Sequence, residues 1–132
     1  MKKLLILLTM LFSMIMFSSS SYADWKKITS NVNGTDFYVD FETIKRNNGF
    51  LYYWGLDDYL EPLSDADGPR FSSILMYKVD CDLLRYKALT ATFYSRQMGK
   101  GSSKVERGHE DWQYSPPGSA GGSVRKKLCL SY

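Results

Sequence analysis

The sequence predicts an α+β fold, a six-stranded antiparallel sheet with a C-terminal helix tethered to it by a disulfide. Three observations predict it. Turn signals recur between runs rich in β-branched and aromatic residues. The apolar period changes near the C-terminus from that of a strand to that of a helix. The only two cysteines, Cys81 and Cys129, fall one in each of these parts.

The strands follow in order. Trp25 to Thr29 is the first. Asn33-Gly34 is a hairpin signal, because both residues tolerate positive φ, and Thr35 to Phe41 is the second strand. Glu42 to Lys45 is expected to make a helical turn, and Asn48-Gly49 is a second turn of the same type. Phe50 to Tyr59 is the third strand. Leu60 to Arg70 reads as a polar loop whose prolines, Pro62 and Pro69, exclude it from a central strand. Phe71 to Cys81 is the fourth strand. Leu83 to Ser95 is the fifth, with Leu89, Ala91 and Phe93 on one face and Tyr86, Ala88 and Tyr94 on the other. Met98 to Ser103 turns the chain into a sixth, weaker strand between Ser103 and Tyr114, ending at Trp112. Ser115-Pro116-Pro117-Gly118 stops the sheet.

Val124 and Leu128 then stand at i and i+4, with Cys129 alongside, which is one stripe of a helix. Ser119 or Ser123 caps its start. Gly121 and Gly122 weaken the first turn, so a late start is expected. Arg125, Lys126 and Lys127 are placed near its end, where positive charge suits the macrodipole. So short a helix is marginal alone, and a bond from Cys129 to Cys81 would hold it to the sheet. On the fourth strand Leu75, Tyr77, Val79 and Cys81 share the face toward that helix. Ile74 and Met76 lie on the opposite face with Ser72, Lys78 and Asp80. That second apolar surface implies strong bending of the sheet, a homodimer contact, or isolated apolar residues facing water.

The N-terminus sets the compartment. Lys2 and Lys3 precede an apolar run from Leu4 to Phe17, broken only by Thr9 and Ser13. Its 14 residues fall short of the roughly 20 of a membrane-spanning helix. Ser21-Tyr22-Ala23 fits the small-x-small rule, so residues 1–23 read as a signal peptide cleaved between Ala23 and Asp24. An uncleaved anchor is the alternative. Residues 24–132 then form one domain of 109 residues. The leader takes two of the 17 basic residues and none of the 14 acidic ones, which leaves a mature charge of +1. That balance gives no case for nucleic acid. No cysteine precedes Cys81, so the expected protein is exported to the periplasm or cell surface without a lipid anchor. Two cysteines in an exported chain read as one disulfide. Two buried free thiols are the alternative, uncommon in oxidising compartments.

The candidate chemistry is thin. His109 is the only histidine and stands beside Glu110 and Asp111. A zinc site needs three or four converging ligands, and a local run on one segment reads as a solvated stretch instead. Asp57 and Asp58 point to opposite faces of a strand and cannot share a proton, so they read as a strand end. Asp40 reads as the end of a strand and the cap of the turn that follows. No serine lies in a Gly-x-Ser-x-Gly elbow, and Gly99-Lys100-Gly101 lacks the Lys-Ser/Thr of a phosphate loop. The expectation is a protein that is not an enzyme and has no metal and no cofactor. Aromatic residues are the one hint of binding. Tyr52, Trp54, Tyr59 and Trp112 form the candidate binding surface, with packing in a small core as the ordinary use of such side chains.

The order of short motifs adds a resemblance. Trp25-Lys26-Lys27-Ile28, Phe37-Tyr38-Val39-Asp40 and Thr43-Ile44-Lys45 are followed by Trp54-Gly55-Leu56-Asp57-Asp58-Tyr59, Ser72-Ser73 and Tyr77-Lys78-Val79-Asp80-Cys81. Tyr94-Ser95, Met98-Gly99-Lys100-Gly101, Trp112, Pro116-Pro117 and Cys129 complete the series. Together they resemble the surface-adhesin protein E family over essentially the whole mature chain. The resemblance implies a six-stranded sheet with a disulfide-tied helix, a dimer, and binding to host extracellular-matrix or plasma proteins, as for the family's lipid-anchored namesake. A periplasmic structural or enzyme-inhibitor module without a host ligand is the alternative function.

Overall fold

The computed structural model describes residues 1–4, 6 and 22–132. Apart from Leu4 and Ile6, the apolar run of the expected signal peptide lies outside the described residues. Among them, no helix is long and apolar enough to cross a membrane.

Six strands pair in chain order as one antiparallel meander: β1 (Trp25–Ser30), β2 (Asp36–Asn47), β3 (Phe50–Leu63), β4 (Arg70–Asp80), β5 (Arg85–Arg96) and β6 (Lys100–Arg107). A two-residue strand, β7 (Gln113–Tyr114), pairs with the start of β5. The helix α1 (Ala120–Ser131) follows. The expected sixth strand is thus two pieces, with β6 beginning earlier than Ser103. The chain reverses at Gln97–Gly99, a 3-10 turn in which Met98 and Gly99 take positive φ of 56° and 69°. Asn48 and Gly49 both have positive φ, 49° and 81°, as a two-residue hairpin turn requires. The first hairpin differs. Only Gly34 is positive there, and Asn31 Oδ1 organises the loop by accepting from the N–H groups of Asn33 and Thr35.

Several sequence expectations need correction. Glu42–Lys45 is not a helical turn. It is a bulge inside β2, between the pairs Asp40–Trp54 and Lys45–Tyr52. Asp40 caps it, accepting from the Glu42 N–H at 3.1 Å, but the strand continues beyond. Thr43 Oγ1 fills the gap in the ladder by accepting from the Trp54 N–H. β3 runs on through Pro62 to Leu63, so Asp57 and Asp58 do not mark a strand end. Beyond Asp58 it has lost its β2 partner, and a missing N–H is tolerated there. In β5 a bulge at Leu89 sets Ala88 opposite Tyr77 and Thr90 opposite Met76. Strict alternation therefore fails, and Ala88 and Ala91 share the face toward the helix.

The core lies between that face and α1. Val39, Leu51, Tyr53, Tyr77, Val79 and Ala88 pack against Val124 and Leu128. Tyr53 and Tyr77 stack at 5.0 Å between ring centres. Ser119 caps α1, its Oγ accepting from the Gly122 N–H at 3.2 Å. Despite its two glycines the helix starts at once rather than late. It also runs to Ser131, which leaves Arg125, Lys126 and Lys127 in its middle. The cation at its C-terminus comes instead from β2. Arg46 donates to the carbonyl oxygens of Cys129 and Tyr132, where positive charge meets the negative end of the dipole. Cys81 and Cys129 are joined as a disulfide.

The opposite face of the sheet is partly roofed. Met98 donates its N–H to Asp58 Oδ1 at 2.7 Å, and Ser72 Oγ ties Arg96 and Gly99 to β4. This folds the Gln97–Gly99 turn over Leu56 and Ile74. Gly99 has a positive φ of 69°, which favours glycine, and a Cβ there would stand 2.8 Å from Ile74 Cδ1, so that side chain would have to shift. Ile74 is therefore partly covered within the chain, and Leu56 is fully buried.

Candidate binding surface

The outer face beyond this roof gathers side chains from five strands and one loop. Register builds it, because residues directly opposite on neighbouring strands share a face. One cross-strand row reads Lys45, Tyr52, Lys78, Lys87 from β2 to β5. The next reads Asp40, Trp54, Met76, Thr90, Arg107 from β2 to β6.

Trp112 reaches this face from the loop between β6 and β7. The loop is pressed onto β5 where the His109 N–H donates to the Ala88 carbonyl at 2.8 Å. At Gly108 a Cβ would lie 1.7 Å from that same oxygen, so a side chain there is excluded. β7 then fixes Gln113 opposite Tyr86. Between these anchors the Trp112 ring stacks on Phe50 at 5.6 Å, tilted by 28°.

Three cations surround the rings. Lys78 Nζ lies 4.2 Å from the centre of the Phe50 ring and 5.9 Å from those of Tyr52 and Trp112. Arg85 Cζ and Lys87 Nζ stand 4.6 and 5.0 Å from the Trp112 centre. Such contacts hold cations against the negative face of a ring. Arg85 also donates to Asp80 at 2.9 Å. Burial pushes the Asp80 carboxyl up, but Arg85 and the Leu83 and Asp82 N–H groups outweigh it and hold the pKa below the usual range. Lys78 and Lys87 are in no ion pair among the described residues.

Of the four aromatic residues singled out in the sequence, Tyr52, Trp54 and Trp112 share this face. Tyr59 does not join them. Its hydroxyl is hydrogen-bonded to Ser73 Oγ at 2.6 Å, and burial pushes its pKa up to about 12. His109 is exposed on the loop before Trp112. Among the described residues no group of three or more His, Cys, Asp or Glu is placed to hold a metal ion.

Sequence reasoning missed the cations, because a lysine in a strand carries no signal until register shows what it faces. It also missed a half-buried carboxyl. Asp57 shares the helix face with Tyr53 and lines a cavity of about 20 Å³ with Gly55, Tyr77, Gly121 and Arg125. Burial pushes its pKa up to about 7, against the opposing charge of Arg125. Asp58, on the other face, holds the Met98 turn, so the two carboxyls do point apart.

The domain is a disulfide-closed antiparallel meander with an aromatic and basic outer face. The chain belongs to the surface-adhesin protein E family, whose sequence profile matches residues 25–130. Family membership supports a surface adhesin with an exported or surface location. Its fold is similar to that of Haemophilus influenzae protein E, at 15% identity and a TM-score of 0.62, over 86% of this chain and 89% of that one. Crystal form II of that protein gives a TM-score of 0.64 at 15% identity, over 86% and 93% of the two chains. Protein E from non-typeable Haemophilus influenzae gives 0.60 at 15% identity, over 86% and 80%. A comparison with curated proteins finds no significant match.

Proposed function

We propose that the chain is an exported, non-enzymatic binding protein, cleaved before Asp24, whose outer sheet face contacts host or extracellular proteins. The gathering of Tyr52, Trp54 and Trp112 on one face, ringed by cations, carries this reading. Large rigid aromatic side chains and arginine are the groups that dominate binding energy in protein interfaces. Side chains packed beneath the helix are unavailable to a partner, whereas these lie on the face the helix leaves open.

The test is a pull-down of the exported protein against matrix and plasma proteins. Saturable binding at micromolar concentration, lost in Trp54→Ala and Trp112→Ala variants that keep the disulfide and the melting transition, is the expected result. Absence of saturable binding counts against adhesion. Protease shaving of whole cells distinguishes display, where the domain is digested, from a periplasmic structural or inhibitor module, where it is protected.

A further inference from the structure

We propose that the Lys45–Tyr52–Lys78–Lys87 row is a binding track for a linear sulfated polysaccharide, such as those displayed on extracellular-matrix proteins. The inference rests on the outer face being the binding surface and names the chemistry of what it holds.

Charge distribution carries it. Although the chain as a whole is nearly balanced, this row holds three ammonium groups and no acid. Arg107 ends the neighbouring row. Asp80, the carboxylate beside Arg85, is committed to it at 2.9 Å. Asp40, in the neighbouring row, is buried and caps the Glu42 N–H. Glu42 in the β2 bulge and Glu110 and Asp111 before Trp112 are exposed and mark the edges of the patch. Like charges repel, and a fold that sets Lys78 and Lys87 beside one ring with no acid paired to either leaves a local positive potential that an anionic partner relieves.

Shape selects the partner. Neighbouring strands are about 4.8 Å apart, so the row from β2 to β5 extends for about 14 Å across the sheet. That is a line of separate point charges rather than a cradle converging on one anion. It suits a chain that carries an anion on successive units. Tyr52 lies in the line and Trp54 beside it in the neighbouring row, both half exposed, and they offer flat apolar surface to the faces of sugar rings. The rings also act on the lysines. Lys78 rests on Phe50, and Lys87 rests on Trp112. Their side chains are thereby ordered before the ligand arrives, which lowers the entropy cost of binding. A lipid bilayer fits less well, because membrane-anchoring aromatics need free apolar tips. Here the Phe50 and Trp112 rings are stacked together and capped by cations.

The experiment titrates the full purified chain with heparin, with heparin stripped of its sulfates, and with phosphatidylcholine–phosphatidylserine vesicles. Saturable binding to heparin alone, weakening with added salt, is expected. Lys78→Gln/Lys87→Gln should lose at least tenfold in affinity with an unchanged melting transition. Lys104→Gln, whose partners Asp65 and Asp67 lie in the β3–β4 loop, should lose none. Equal binding of desulfated heparin, equal binding of vesicles, or full affinity in the double variant would overturn the proposal. If the double variant keeps full heparin affinity while the parent captures a matrix protein through Trp54 and Trp112, the polysaccharide track fails and the adhesion reading stands. If the tryptophan variants capture it undiminished as well, the adhesion reading fails too.

Discussion

The guanidinium carbon of Arg125 stands 3.7 Å from the centre of the Tyr86 ring. Helix α1 is therefore joined to β5 by a cation on an aromatic face, in addition to its apolar stripe. The same side chain lies 5.6 Å from the Tyr77 ring and donates to Ser115 Oγ. Replacing it removes a partly desolvated cation–π contact and the opposing charge nearest the Asp57 carboxyl. Arg125→Met, which keeps much of the aliphatic volume, should cost about 1–2 kcal/mol by chemical denaturation. An unchanged midpoint would show that the stripe alone docks the helix.

Asp57 makes the pH dependence specific. Its pKa is pushed up from 3.8 to about 7 by burial. Between those values the folded protein keeps a proton that the unfolded chain releases, so stability falls as pH rises through the window. Above it the protein carries a half-buried, partly desolvated carboxylate. Asp57→Asn should match the parent near pH 4 and exceed it at pH 8 by on the order of 2–4 kcal/mol. Parallel stability–pH curves for the two proteins would contradict this.

Loss of the disulfide is expected to act chiefly on α1. The bridge closes a separation of 48 residues, for which chain entropy gives about 4 kcal/mol. Cys129→Ser should lower stability by a few kcal/mol and speed amide exchange in α1 before it affects β3 and β4. Melting that is indifferent to reductant would count against a structural role.

Gly108 is the backbone condition for placing Trp112. A methyl group there collides with the Ala88 carbonyl oxygen, which is main chain and cannot swing aside. Gly108→Ala should detach the loop, redden Trp112 fluorescence as the ring leaves Phe50, and cost about 2 kcal/mol or more. Retained stacking would show that the loop is held by β7 alone.

The succession of strands along the chain, the two-residue turn at Asn48-Gly49 and the α1 stripe were legible because each has a local chemical signature. Two phase errors were not. The bulge at Leu89 and the one after Asp40 shift the alternation without any glycine or proline to announce them. The second is held by a side chain, Thr43, that completes the ladder from outside. Of the rings on the outer face, Tyr52, Trp54 and Trp112 could be named from the sequence, whereas Phe50 and the charges could not, and Tyr59 lies elsewhere. Trp112 could be named from composition, but its stack on Phe50 depends on contacts between segments far apart in sequence. Arg46 at the C-terminus of α1 was invisible for the same reason, being 86 positions from Tyr132.

The meander order of the sheet has a consequence for assembly. Every strand from β2 to β6 pairs with the one before it, so each new pairing closes only a short loop, and the sheet needs no crossover connection. A chain emerging from a translocation channel could add hairpins one after another without waiting for distant segments. The seating of Trp112 on Phe50 and the return of α1 across the finished sheet, sealed at Cys81, then join late sequence to earlier sequence.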